Sequence, residues 1–295
     1  MRVVCAGHVN WDVTLRLDRL PDTDDEAVVE AERRAGGGSA ANVATALARL
    51  DAGSAVVGSV GDDERGAKAR AELERAGVDC AGLAEAPGRP TATKYLLVGG
   101  GGDVAVLGRS GANEAYGVGE LPDGALAAAD GLHLTGQDPS TAAALAARAR
   151  ASGVPVSVAP GRRLGDRDYA SLLRLADVAL LNRREADLAL VDGGPLDRPG
   201  VTVVVTRGAE GAEARTGGEA VDHPGYEVDA VDATGAGDAF AAGFLAVWLD
   251  GGELPAALAV ANACGALATT RAGARAGFDR AAVRRLAGTD CPAGF

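Results

Sequence analysis

The chain has 295 residues, is 47% hydrophobic and carries a formal net charge of -12, which gives enough apolar content to bury the core of one large α/β domain or two small ones. The charge argues against nucleic acid as a partner, because a phosphate backbone is gripped by clustered Lys and Arg, and lysine occurs only as Lys68 and Lys94. No run of about 18 apolar residues is present to span a bilayer, and the stretch from Met1 turns polar by Asn10, too early for a signal peptide, so a cytoplasmic enzyme is expected.

Val3 to Ala6 reads as a short buried strand before Gly7, with Asn10 and Asp12 following at its C-terminal end. From Val13 to Ala31 apolar and polar positions alternate around a Pro21-Asp22 turn, which predicts two half-exposed strands of a small second sheet. Ala40 to Arg49 is alanine-rich and helical, preceded by Gly36-Gly37-Gly38-Ser39; Ser54 to Val60 reads as a strand and Glu64 to Ala76 as a helix. Thr91 to Val98 and Asp103 to Leu107 flank Gly99-Gly100-Gly101-Gly102 and predict a hairpin that joins the small sheet.

After Pro122 strand and helix alternate: Leu132 to Leu134, Thr141 to Ala151, Val156 to Ala159, Ala170 to Leu175, Val178 to Leu181 and Val201 to Thr206. That rhythm predicts a parallel sheet. Gly211 to Val221 reads as a further hairpin, and Ala236 to Leu249 and Leu254 to Thr269 as long small-residue helices. Cys5, Cys80, Cys264 and Cys291 form no CxxC pair, and His8, His133 and His223 form no HExxH, so neither a disulfide framework nor a zinc site is indicated.

The segment Asp232-Ala233-Thr234-Gly235-Ala236-Gly237-Asp238 is a small-residue turn feeding a helix. Glycines there admit a phosphate to the backbone, and the helix start carries about half a positive charge. Asp238 in that first turn reads either as a helix cap or as a base taking a proton from an acceptor hydroxyl while the amides hold developing charge. Gly37-Gly38-Ser39-Ala40-Ala41-Asn42 reads either as a plain glycine turn or as a ligand loop whose Asn42 amide both donates to and accepts from a hydroxyl. A GxxxxGK[ST] phosphate loop is absent, and neither glycine cluster fits the GxGxxG of a dinucleotide-binding oxidoreductase.

DATGAGDAFAAGF at 232–244 resembles the C-terminal motif of the ribokinase family, also called the PfkB carbohydrate kinases, with Ala233 as a small departure. Gly37 to Asn42 resembles that family's first motif, and locally His133 to Pro139 with Ala159-Pro160-Gly161 resembles archaeal nucleoside kinases as much as ribokinases. The resemblance covers essentially the whole chain. It implies an α/β fold, a ribokinase-like three-layer sandwich with a central, mostly parallel sheet and a small β-sheet lid. Residues 1–295 would form a single kinase domain, with the lid built from about 12–34 and 91–110.

The activity implied is transfer of the γ-phosphate of ATP to a hydroxyl of a sugar or sugar-bearing metabolite, with Asp238 as base and the Gly235, Ala236 and Gly237 turn as anion hole. Asn10, Asp12, Gly37, Gly38, Asn42 and Gln137 would bind the substrate. Asn182, Thr206, Gly208, Gly211 and Asn262 would face the nucleotide, and Glu185 of the NxxE motif would organise magnesium through water. Asp232, Thr234, Ala268, Arg271 and Gly273 match a loop for a monovalent cation, potassium, which Gly277 leaves incomplete where ribokinases place a serine. Arg109 and Arg271 are further cations, either for an anionic group of a ligand or as solubilising surface residues. Ribose, a nucleoside, ribose 1-phosphate, fructose and a keto-deoxy acid all stay open as acceptors. The rival from another class is a catalytically silent sugar-binding regulator on the same fold, and the small sheet's apolar face is a candidate homodimer surface.

Overall fold

The computed structural model describes residues 1–101, 103–275 and 277–295. The predicted alternation builds a nine-stranded sheet in the order β13-β12-β11-β10-β9-β8-β1-β4-β5. Its members are β1 (Arg2–Ala6), β4 (Gly53–Gly61), β5 (Asp79–Ala86), β8 (Gly131–Thr135), β9 (Val156–Ala159), β10 (Val178–Asn182), β11 (Thr202–Thr206), β12 (Ala212–Thr216) and β13 (Glu219–His223). Pairing is parallel from β5 across to β11 and antiparallel only through β12 and β13, the hairpin expected at 211–221.

Helices cover both faces, as a parallel sheet requires of strands that are apolar on both sides. One buried cluster joins Phe240 and Phe244 of α6 (Ala236–Trp248), Leu258 of α7 (Leu254–Thr269) and Leu47 of α1 (Ser39–Arg49) to Val3 and Val56. The other joins Leu145 of α3 (Pro139–Ala151) and Leu172 of α4 (Ala170–Leu173) to Leu132 and Val156. The small residues of α6 and α7 let these helices lie close together: a Cβ on Gly243 would come within 2.8 Å of Cys264 Sγ. The remaining helices are α2 (Glu64–Arg75), α5 (Arg183–Ala189) and α8 (Arg280–Ala287).

The small second sheet has four strands, β3-β2-β6-β7: β2 (Asn10–Leu17), β3 (Val29–Gly37), β6 (Thr93–Val98) and β7 (Val104–Arg109). Gly102, last of the four glycines between β6 and β7, lies outside the described residues. Asn10 and Asp12, which follow the C-terminal end of the first strand, lie in β2 itself, with Gly7 to Val9 linking β1 to β2. Two residues apart, they share one face of the sheet. The edge strand β5 and the helix α8 are elements the sequence reading lacked, and α4 stops two residues short of the expected Leu175. In β5, glycine and alanine interrupt the alternation; α8 comprises only eight residues.

Asp63 caps α2, its Oδ1 accepting from the Gly66 amide and the Thr91 hydroxyl, while Oδ2 accepts from the Thr91 amide. It thereby fixes the entry to β6. Asp63→Ala is expected to destabilise the fold by about 1–2 kcal/mol, read as a lower urea midpoint with unchanged slope; an unaltered midpoint would contradict the role given to this cap.

Candidate active site

The sequence-predicted residues gather at the C-terminal ends of the parallel strands, where an open α/β sheet binds its ligands. β3 delivers Gly36 and Gly37 to the start of α1, whose first turn presents Asn42. Strand β2 runs beside them, and the approach is so close that a Cβ on Gly37 would overlap the Asp12 carboxylate. No residue but glycine fits there.

From the other end of the chain, Gly235 takes a left-handed φ of 80° against the Ala274 carbonyl and starts α6. The Ala236 amide is spent on the Ala233 carbonyl at 3.2 Å. Among the described residues the amides of Gly235, Gly237 and Asp238 have no protein acceptor. Asp238 follows in the first turn, half-buried, and its Oδ2 accepts from Asn42 Nδ2 at 2.8 Å. The helix start at Gly235 and the glycine loop therefore meet across 196 residues of sequence.

Burial pushes the Asp238 carboxyl up to about 6, against the bond from Asn42, the charge of Lys94, the Ser39 hydroxyl and the charge of Arg275. Asp12 is also raised, by burial first, with Lys94 and Arg275 opposing; its Oδ1 is buried with no protein partner among the described residues. Lys94 stands opposite Asp12 in the β2–β6 register. Arg275 is almost wholly buried and sends Nε to Asn42 Oδ1 at 3.1 Å, one terminal nitrogen to the Gly37 carbonyl at 3.0 Å and the other to Glu72 Oε2 at 3.5 Å. Glu72 in turn accepts from the Gly36 amide at 2.8 Å.

Neither cation was singled out for this cleft from the sequence. For Lys94 a signal existed, since strand alternation puts it on one face of β6; for Arg275 there was none, because it sits in an irregular loop after α7. A further group was missed beside Asn10: Asn113 Nδ2 donates to Asn10 Oδ1 at 2.8 Å, and Glu114, at a left-handed φ of 66°, accepts from His8, Arg163 and Arg167. The His8 bond, ahead of Arg167, holds the Glu114 carboxyl down at about 2 despite its burial. Gln137 is fully buried, and among the described residues both of its amide atoms lack a protein partner.

On the neighbouring strands Asn182 caps α5 and forms a reciprocal box with Glu185, whose two oxygens accept from the Asn182 amide at 3.1 Å and Nδ2 at 2.7 Å. Burial raises the Glu185 carboxyl above the usual range. Thr206 ends β11, and Gly208 and Gly211 take positive φ in the loop beyond. Asn262 lies within α7, buried, donating to the Leu258 carbonyl at 2.8 Å. Asp232 ties its own loop to the one after α7, accepting from the Thr234 amide at 2.9 Å and the Gly273 amide at 2.7 Å. Arg109 is exposed on the edge strand β7, away from these groups in register with Thr93.

The family model described as pfkB family carbohydrate kinase matches residues 1–281. The chain belongs to this family. A relative from Halopiger xanaduensis, named an ATP-dependent ribose-1-phosphate kinase, is 53% identical over 280 residues, covering 93% of this chain and 94% of its own. A nucleoside kinase from Methanothermobacter thermautotrophicus is 30% identical over 260 residues, covering 85% and 84%. In fold the chain is similar to the Methanocaldococcus jannaschii nucleoside kinase (TM-score 0.85, 22% identity, 97% of both chains) and to the Arabidopsis thaliana ribokinase complexed with ribose and ATP (TM-score 0.85, 24% identity, 97% and 98%). The protein is accordingly a ribokinase-fold phosphotransferase that carries the γ-phosphate of ATP to a hydroxyl of a sugar or sugar-bearing metabolite.

An ionised Asp238 inside this cleft costs stability. With its folded-state carboxyl near 6 against an ordinary 3.8, its contribution is fully favourable below pH 4 and is lost as pH rises through 6. Asp238→Asn is therefore expected to be more stable than the parent at pH 8, by on the order of 2 kcal/mol after allowing for partial exposure, with the gap closing toward pH 4. A variant less stable at pH 8 would mean that the carboxylate is a structural anchor instead.

Proposed function

We propose that the acceptor is ribose 1-phosphate and that its primary hydroxyl is phosphorylated in line by magnesium ATP. The relative that is 53% identical supports the acceptor; the mechanism is carried by the 2.8 Å contact of Asp238 with Asn42. That contact sets the base at the junction of the sugar loop and the free amides of α6, the one place where a hydroxyl and a γ-phosphate have to meet.

Asp12 and Asn42 hold the sugar, a carboxylate accepting two hydroxyl bonds and an amide fixing the orientation of a third group. Asp238 takes the hydroxyl proton. The oxygen bonds to the γ-phosphorus as the bond to the bridging oxygen breaks and ADP leaves, and the amides of Gly235, Gly237 and Asp238 face the charge on the moving group. Arg275 holds Asn42 Oδ1, so the Asn42 amide presents its Nδ2 side to the base.

Asn182, Thr206, Gly208, Gly211 and Asn262 line the nucleotide side in this reading. Among the described residues no cluster of three or more metal-binding side chains occurs, which suits magnesium, an ion usually held by one or two carboxylates, water and the substrate's phosphates. Glu185 would serve it through water, both of its oxygens already accepting from Asn182; the ion would neutralise phosphate charge. Asp232, Thr234, Ala268, Arg271 and Gly273 would hold potassium, and the Asp232 bonds to Thr234 and Gly273 support that loop pairing.

The four-stranded sheet would act as a lid excluding water. Its exposed Val104 and Val106, two residues apart on one face of β7, suit a homodimer face. No helix among the described residues is long and apolar enough to cross a membrane, and a cytoplasmic setting, with ATP at hand, completes the reading.

Asp238→Asn is expected to lower turnover at least about a hundredfold with ATP affinity retained; a smaller loss would rule out a general base of ordinary strength. Asp12→Ala is expected to raise the acceptor KM about tenfold or more while the ATP KM stays within about twofold. Equal loss of both affinities would point to a damaged fold.

A further inference from the structure

We infer that Arg163 and Arg167, set against His8 and Glu114, form a subsite for the phosphate at the end of the acceptor remote from the hydroxyl under attack. The inference rests on the reading of a sugar-phosphate acceptor. The cleft can be walked from the base outward. Asp238 bonds Asn42; the glycine loop beside Asn42 touches Asp12 and, through Gly38, the His8 carbonyl; Asn10 next bonds Asn113; and the neighbour of Asn113 is Glu114. Glu114 accepts from Arg167 at 2.7 and 3.1 Å, from Arg163 at 3.2 Å and from His8 at 3.1 Å.

The donor count makes this cluster more than a brace. A single carboxylate is satisfied by one forked guanidinium, yet Glu114 faces two, with the Asp138 carboxylate also acting on Arg167. Each guanidinium has five N–H donors; Glu114 takes two from Arg167 and one from Arg163. Both arginines remain partly exposed, at 37% and 30% of their side chains, so a ligand can reach them.

Among the described residues Asn10 Nδ2, Asn113 Oδ1, both amide atoms of Gln137 and the Tyr116 hydroxyl are buried without a protein partner, and the Asn10–Asn113 bond ties the first two to the stretch that carries Glu114. Buried polar groups are rarely left unpaired. A ring carrying hydroxyls against these atoms, with its phosphate on the arginines, satisfies both sets together. Lys94 and Arg275 are also cations of the cleft, but they stand at the base end among Asp12, Asp238 and Glu72, where a second dianion would crowd the carboxylate that must take the proton. In ribose 1-phosphate the anomeric phosphate and the primary hydroxyl leave the ring at separate carbons on either side of the ring oxygen, as this arrangement of cations and base requires.

The test is the selectivity ratio, kcat/KM for ribose 1-phosphate over kcat/KM for ribose, in the parent, Arg163→Met, Arg167→Met and the corresponding Lys variants. The subsite predicts a parent that prefers ribose 1-phosphate, and a ratio reduced at least about tenfold by either Met change, mostly through KM, with part of it restored by Lys. A ratio unchanged in both Met variants, or both acceptors losing efficiency equally, would reduce the cluster to a structural brace and overturn the subsite alone. A parent without preference for ribose 1-phosphate would overturn the acceptor reading as well. Should Arg167→Met fail to fold, Arg163→Met, which gives up a single bond to Glu114, still decides the matter.

Discussion

The hydrogen bond between Asn42 and Asp238 is the constraint on which the rest of the site depends. It fixes the start of α1 against the start of α6, and so brings the glycine loop and the Gly235 turn to a common point. It also acts on the Asp238 carboxyl. Burial alone would push the carboxyl well upward, and the donor from Asn42 with the charges of Lys94 and Arg275 brings it back to about 6. A base is most effective when its pKa lies near the working pH, and the role proposed for Asp238 draws on this opposition of burial and bonding.

Arg275 shows how an acidic protein makes such a site. Its guanidinium occupies a pocket of fixed acceptors, the Gly37 carbonyl, Asn42 Oδ1 and Glu72, rather than pairing with either cleft carboxylate directly. Burial lowers its pKa from the usual arginine range, with the Glu72 carboxylate opposing the shift. A cation held by fixed acceptors costs little reorganisation when charge develops nearby. The same economy appears across the cleft, where Glu114 gathers Arg163 and Arg167 instead of letting them disperse into solvent.

Much of this was legible in the sequence because short-range signals agreed with long-range order. The strand and helix rhythm after Pro122 gave the parallel sheet, and Gly235-Ala236-Gly237-Asp238 announced a helix start open to an anion. The glycines beside Asn42 were visible as a ligand loop only through family likeness, and the structure supplies the physical reason: Asp12 lies where any side chain on Gly37 would be. What stayed hidden depends on contacts that no local pattern encodes. Arg275 and Glu114 sit in irregular loops, and their partners are 233 and 106 residues away in Asn42 and His8.

The central claim is that Asp238 must be ionised to accept the proton of the acceptor hydroxyl, and that the cleft holds its pKa near 6. The direct measurement is the single-turnover rate of phosphoryl transfer across pH 4.5 to 8.5 with both substrates saturating. The account predicts a plateau above neutrality and a fall approaching tenfold per pH unit below about 6. A rate that stays flat down to pH 5, with chemistry shown to limit it, would contradict the account.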